Sequence, residues 1–250
     1  MITAIIQARM GSTRLPGKVL LPLGDTTVLG HTVRQVKKAK KIGRVIVATS
    51  IDQSDDEIEW YCKENDIEVT RGSLQDVLDR YYQAAKARGA EHVARITADC
   101  PLIDPAVIDR VAGEYETSRC DYISTGRIKT TFPDGMDIEI FSFAALETAW
   151  KEAKFPSERE HVTPFIWNHG EHFRVIEVKN GSDLSAVRLT LDEDRDYAVI
   201  KEIVADVPEL SMGHIVAYLK AHPEVAAQNA SIVHEEGYYK SLKEDEKKKH

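Results

Sequence analysis

Arg9, Arg14 and Lys18 fall within one short run, Gln7-Ala-Arg-Met-Gly-Ser-Thr-Arg-Leu-Pro-Gly-Lys18, together with Gly11, Gly17 and the hydroxyls of Ser12 and Thr13. These residue types suit an anion. Glycines let the backbone approach it, hydroxyls donate to its oxygens, and clustered cations offset several negative charges at once. An apolar stretch, Ile2–Ile6, runs straight into the loop, and α/β proteins bind nucleotides in the crevice outside the carboxyl ends of such strands. The spacing excludes two common motifs. A P-loop has four residues between its glycines and a Ser or Thr after its lysine, whereas five residues separate Gly11 from Gly17 here and Val19 follows Lys18. The dinucleotide pattern G-x-G-x-x-G is also missing, so hydride transfer has no local support.

Carboxylates recur at several further points along the chain. Asp99 follows the buried strand His92–Thr97, in Asp99-Cys-Pro-Leu-Ile103, and so lies at a strand's carboxyl end like the basic loop. Asp192 belongs to Leu189-Thr-Leu-Asp-Glu-Asp-Arg-Asp196, ahead of an acidic helix start. Carboxylates are the donors that magnesium prefers. In Asp76-Val-Leu-Asp-Arg-Tyr-Tyr82, Asp76 and Asp79 share a helix face with Arg80 beside them. Strand alternation puts Asp137 and Glu139 of Asp134-Gly-Met-Asp137-Ile-Glu139 on one side. Glu158-Arg-Glu160-His161 opens a later helix. No serine or histidine has a triad-like context, and a positioned hydroxyl attacking a phosphate in line needs no covalent intermediate.

The basic loop resembles the signature loop of the sugar nucleotidyltransferases, and within them the cytidylyltransferases that make CMP-activated acidic sugars. The chain is most similar to the spore-coat polysaccharide cytidylyltransferases, relatives of the CMP-octulosonate and CMP-nonulosonate synthetases, from Ile5 to about Tyr197. The resemblance implies a three-layer α/β/α Rossmann-like nucleotidyltransferase fold, with a mainly parallel central sheet and a smaller β-containing arm for dimerisation and sugar binding. It implies magnesium-dependent transfer of a nucleotidyl group from a nucleoside triphosphate, CTP, to a sugar, an acidic 2-keto sugar, with release of pyrophosphate, for surface or spore-coat polysaccharide synthesis.

Carried over residue by residue, the resemblance gives Arg9, Arg14 and Lys18 the triphosphate and the chemistry. Ala8, Gly11, Ser12, Asp79, Arg80 and Thr97 fall to the nucleotide, Asp99 and Asp192 to the metal, and Asp137, Glu139 and Glu160 to the sugar. One position departs from the family pattern: Thr97 stands where related synthetases carry a cytosine-reading glutamine. The sugar stays open. An acid needs cations such as Arg127, Lys129 or Arg159, whereas a neutral sugar would suit the carboxylates. Two rivals differ in class. Asp192-Glu-Asp194 matches the acid-x-acid pattern of metal-dependent glycosyltransferases that use a nucleotide-sugar donor, and a sensing module could retain the fold without turnover.

The elements that must position these residues alternate. Strands are predicted at Ile2–Ile6, Arg44–Thr49, Ile67–Thr70, His92–Thr97, Asp137–Phe141 and Phe173–Lys179, with a less regular part beginning at Asp121–Thr125. Helices are predicted at Val28–Lys40, Asp55–Asn65, Leu74–Arg88 capped by Ser73, Pro105–Ser118, Phe143–Lys151, Asp194–Val204 and Met212–Lys220, with a further one opened by a Ser157-x-x-Glu160 capping box. Residues 1–228 read as the nucleotidyltransferase domain, with the arm at roughly 126–180. Residues 229–250 read as a C-terminal extension whose charged end, Ser241–His250, frays. With 250 residues, 42% of them hydrophobic, the chain can bury a large core. A net charge of −8 argues against nucleic-acid or anionic-membrane partners. Three cysteines without a C-x-x-C pair argue against disulfides and zinc. No apolar run is long enough to span a membrane. A cytoplasmic homodimer is expected.

Overall fold

The computed structural model describes residues 1–126, 130–232 and 236–248. In chain order the elements are β1 (Ile2–Gln7), β2 (Pro22–Leu23), β3 (Thr26–Thr27), α1 (Val28–Lys38), β4 (Ile42–Ser50), α2 (Asp56–Glu64), β5 (Val69–Gly72), α3 (Val77–Ala87), β6 (His92–Thr97), α4 (Pro105–Ser118) and β7 (Tyr122–Ser124). There follow β8 (Glu139–Ser142), α5 (Phe143–Glu152), α6 (Pro156–His161), α7 (Pro164–Asn168), β9 (Val175–Glu177), α8 (Asp194–Asp206), α9 (Met212–Ala221), α10 (Pro223–Ala227) and α11 (Glu236–Lys248).

Seven strands form one sheet in the order β5-β4-β1-β6-β8-β7-β9. Every pairing is parallel except the two that β8 makes, with β6 and β7. Helices cover both faces, which is the expected three-layer α/β arrangement. The residues of β1 are apolar on both sides because both sides are covered. Ile2, Ala4 and Ile6 join one core with α1, α4 and α8, while Ile5 joins the other with Tyr81, Phe141, Leu146 and Phe165. The chain runs outward from β1 through β4 to β5, then returns to place β6 on the other flank of β1. That reversal opens a crevice at the carboxyl ends of β1 and β6, where this class of sheet binds its ligands. The stretch expected as an arm contributes β8 and β9 to the central sheet, with α5, α6 and α7 beside them.

Several element ends differ from expectation for local reasons. Ser73 does not cap α3. Its Oγ accepts from the Asp76 N–H at 3.0 Å, and the Asp76 carboxylate then accepts from the Asp79 N–H at 2.9 Å, so the helix begins at Val77. The capping box of Ser157 and Glu160 does not form. Glu158 instead accepts from the Lys154 and Phe155 N–H groups and caps α6 from within. Val162, at φ 72°, breaks that helix before Pro164 opens α7. The charged terminal stretch is not frayed up to Lys248. It forms most of α11, which packs on α6 with Ser241 and Asp245 buried.

Candidate active site

The basic loop leaves β1 at Gln7 and is held from below by Asp55, a wholly buried carboxylate. Asp55 accepts from the Met10 N–H at 2.7 Å, the Ser50 N–H at 3.1 Å and the Ser50 hydroxyl at 2.5 Å. Gly17 turns the loop back at φ 71°, a conformation that favours glycine, and its N–H donates to the Met10 carbonyl at 3.0 Å. Lys18 then enters a short helical turn that directs its side chain inward.

Lys18 Nζ donates to Asp99 Oδ2 at 2.6 Å, to the Leu191 carbonyl at 2.6 Å and to Asp192 Oδ1 at 3.0 Å. All three ammonium protons are therefore used. Burial alone would push the pKa of Lys18 down. The charges and hydrogen bonds of the two aspartates outweigh burial and hold it above its ordinary value. Burial likewise pushes Asp99 up, but the Lys18 ammonium brings it below the usual carboxylate value.

Asp192 is fixed from both sides. Arg14 Nη2 lies 2.9 Å from its Oδ1, and Arg188 Nη2 donates to its Oδ2 at 2.8 Å. Arg188 is almost wholly buried and also holds Asp134 at 2.7 Å and Asp196 at 2.8 Å. Asp196 accepts from the N–H groups of Asp192 and Glu193, which fixes the backbone of the same segment. Gly135 makes this packing possible. A Cβ there would lie 2.7 Å from the Leu189 carbonyl carbon.

These groups open on a cleft of about 920 Å³, at the upper end of what a small-molecule site occupies. Of the residues singled out in the sequence, Ala8, Arg9, Gly11, Ser12, Arg14, Lys18, Arg80, Thr97, Asp99, Glu160 and Asp192 line it. Arg80 is nearly buried there, with its Nε unpaired among the described residues, and burial holds its pKa below the ordinary guanidinium value.

Three residues expected at the site are not brought to the cleft. Asp79 accepts from Trp150 Nε1 at 2.8 Å and from Gln83 on its own helix. Glu139 is buried beneath the sheet's end, taking hydrogen bonds from Arg95, Tyr122 and Thr163. Asp137 accepts from the Gly135 N–H at 3.0 Å and braces that turn. Among the cations considered for an acid acceptor, Arg159 is committed to Asp76 at 2.5 Å, and Arg127 and Lys129 lie outside the described residues. Asp194, the second acid of the acid-x-acid pattern, sits in the first turn of α8 and does not line the cleft.

Asp55 and Arg188 escaped the sequence reading. Asp55 looked like an ordinary acid in a helix's first turn, and nothing in Val187-Arg-Leu189 distinguishes Arg188 from a surface arginine. Glu160 is placed, through a 4.0 Å contact with Arg9, at the far side of the cleft, where α11 supplies the remaining wall.

The donor set fits a magnesium ion. Asp99 Oδ2 and Asp192 Oδ1 already converge on a single cationic nitrogen. No group of three or more His, Cys, Asp or Glu side chains suited to a metal occurs among the described residues. Magnesium does not require one, since it is commonly held by one or two carboxylates together with phosphate oxygens and water. No helix among the described residues is long and apolar enough to cross a membrane.

Residues 3–244 match the family described as cytidylyltransferase. The structure of a cytidylyltransferase from Leptospira borgpetersenii superposes with a TM-score of 0.86 at 38% identity, covering 93% of this chain and 99% of that one. The spore coat polysaccharide biosynthesis protein SpsF of Bacillus subtilis is 32% identical over 241 residues, 91% of this chain and 97% of its own. A 3-deoxy-manno-octulosonate cytidylyltransferase of Geobacter sulfurreducens is 34% identical over 108 residues, 43% of this chain and 42% of its own.

Proposed function

The chain belongs to the cytidylyltransferase family, and we propose that it transfers a cytidylyl group from CTP to an acidic 2-keto sugar and releases pyrophosphate, with magnesium as cofactor. The observation that carries this reading is the convergence of Lys18, Arg14, Asp99 and Asp192 at the carboxyl ends of β1 and β6. Cations facing a pair of hard carboxylates are what a triphosphate and a divalent ion together require.

In this mechanism the loop carrying Arg9, Gly11, Ser12 and Arg14 takes the triphosphate, and Lys18 offsets negative charge at the α-phosphate or on the departing pyrophosphate. Asp99 and Asp192 would hold the magnesium ion, which when bound neutralises phosphate charge and makes the phosphorus more electrophilic. An acceptor hydroxyl attacks the α-phosphorus. The new P–O bond forms as the bond to the bridging oxygen breaks, and the hydroxyl proton passes to a basic group or to solvent. Ala8, Arg80 and Thr97 line the nucleotide side, and the Thr97 hydroxyl is the polar group at the position of the family's glutamine. Glu160 faces the acceptor. The polysaccharide role of SpsF and the octulosonate substrate of the Geobacter enzyme favour a surface-polymer sugar acid.

The test pairs the four ribonucleoside triphosphates with 3-deoxy-manno-octulosonate, a nonulosonate and neutral hexoses, read by magnesium-dependent pyrophosphate release. CTP with one of the acids is expected to exceed every other combination. Equal turnover of another triphosphate, or turnover with neutral sugars alone, would replace this assignment. Release of free nucleoside diphosphate from a nucleotide-sugar would favour the glycosyltransferase reading instead.

A further inference from the structure

The cations at the base of the cleft are already engaged. Lys18 and Arg14 hold Asp192, Arg9 contacts Glu160, and Arg159 is locked on Asp76 away from the cleft. Arg80 is sunk against Gly72 and donates to the Ser73 carbonyl. Across the cleft stands α11, and two of its lysines, Lys240 and Lys243, line the same space. Both are exposed, and neither forms an ion pair with a described residue. Spaced three apart, they lie on one face of the helix.

The opposite side of α11 fixes that orientation. The Ser241 hydroxyl donates to Glu160 at 2.6 Å and shares a hydrogen bond of 3.0 Å with His161 Nε2. One turn on, the Asp245 carboxylate accepts from the Ser157 N–H at 3.0 Å and from its hydroxyl at 2.5 Å. The Tyr238 ring packs edge-on against the rings of His161 and Trp167. Polar groups buried this way are costly to leave unpaired, so they hold the helix in one register.

We propose that Lys240 and Lys243 bind the carboxylate of the acceptor sugar, so that the C-terminal helix sets the preference for an acid over a neutral sugar. The inference rests on the cytidylyl-transfer reading and assigns its acceptor subsite. Two unpaired ammonium groups suit one carboxylate. Glu244, also in the wall, is left to accept from sugar hydroxyls.

The test compares wild type with Lys240→Gln/Lys243→Gln and with Lys240→Arg/Lys243→Arg, using 3-deoxy-manno-octulosonate as the acid and mannose as the neutral control. Two quantities are read: KM for the acid in pyrophosphate release with CTP, and Kd for the acid alone by calorimetry. The glutamine pair is expected to raise both about ten-fold and to leave KM for CTP within about two-fold. The arginine pair should recover most of the loss, and any weak response to mannose should be unchanged. Acid binding that is indifferent to the glutamine pair, a loss that falls on CTP instead, or no acid binding by any variant each overturns the proposal. Lysine-dependent acid binding without pyrophosphate release from CTP would sink the transfer reading while upholding this subsite.

Discussion

The cleft has two walls built by different means. Its nucleotide wall hangs from the central strands and is locked by buried charge: Lys18 between Asp99 and Asp192, and Arg188 among Asp134, Asp192 and Asp196. The other wall is one polar helix docked on another, α11 on α6, through two hydroxyls and two carboxylates. Charge buried at the strand ends, as that of Lys18 and Arg188 is, cannot rearrange without stranding an ion, which costs several kcal/mol. Neutral-to-charged hydrogen bonds at a helix pair near the surface are worth only about 1.5–3 kcal/mol each at most. For the proposed reaction, a wall that holds the same triphosphate each time gains from the first construction. A surface proposed to match one particular sugar can vary by the second without disturbing the fold.

The largest effect should come from the nucleotide wall. Asp99→Ala removes a carboxylate that pairs with Lys18 and is proposed to hold the metal, and is expected to lower kcat by roughly 10³-fold, measured as pyrophosphate release by a variant whose circular dichroism is unchanged. Substantial magnesium-dependent turnover without that carboxylate would break the comparison at its stronger end. Arg188→Gln comes next. It strands Asp196 and leaves Asp192 with one side unsupported, so unfolding free energy should fall by about 3–5 kcal/mol, read from urea denaturation. A loss below about 1 kcal/mol would mean that this wall is no stiffer than the other. The smallest effect belongs to Asp245→Asn, which keeps the shape but weakens the anchor to Ser157. Global stability should drop by only about 1 kcal/mol, with kcat little changed and acceptor KM raised a few-fold. A cost equal to that of Arg188→Gln would erase the distinction.

What could be read from the sequence divides along the same line. The approach of Lys18 to Asp99 was legible because both follow buried strands that neighbour each other in a doubly wound sheet. Asp192 was legible only through the family resemblance, since its segment is not a strand and reaches the site through contacts with Asp99 and Asp134 that no periodicity announces. Asp79 and Glu139 show the opposite case. Each sits in the right element, but helix phase turns Asp79 toward Trp150, and Arg95 on the neighbouring strand captures Glu139. Local pattern places a residue on an element, whereas its partner is chosen by packing across elements. The terminal helix follows the same rule. Ser241–Lys248 is too polar to form an amphipathic helix by composition, and what orders it is a pair of hydroxyl–carboxylate contacts to Ser157 and Glu160, about 80 residues earlier in the chain.

The ammonium of Lys18 makes the pair of aspartates self-neutralising before any ligand arrives. On the proposed reading, a divalent ion taking Asp99 Oδ2 and Asp192 Oδ1 would compete with that ammonium for both oxygens, and an ion arriving alone would leave the buried lysine short of counter-charge. On that reading a triphosphate arriving with the ion would supply the anion toward which the Lys18 side chain turns. Metal and nucleotide would then be coupled through one side chain, each strengthening the other's binding by the same factor. The proposed site would thus take a free cation poorly and admit it as an escort to the nucleotide.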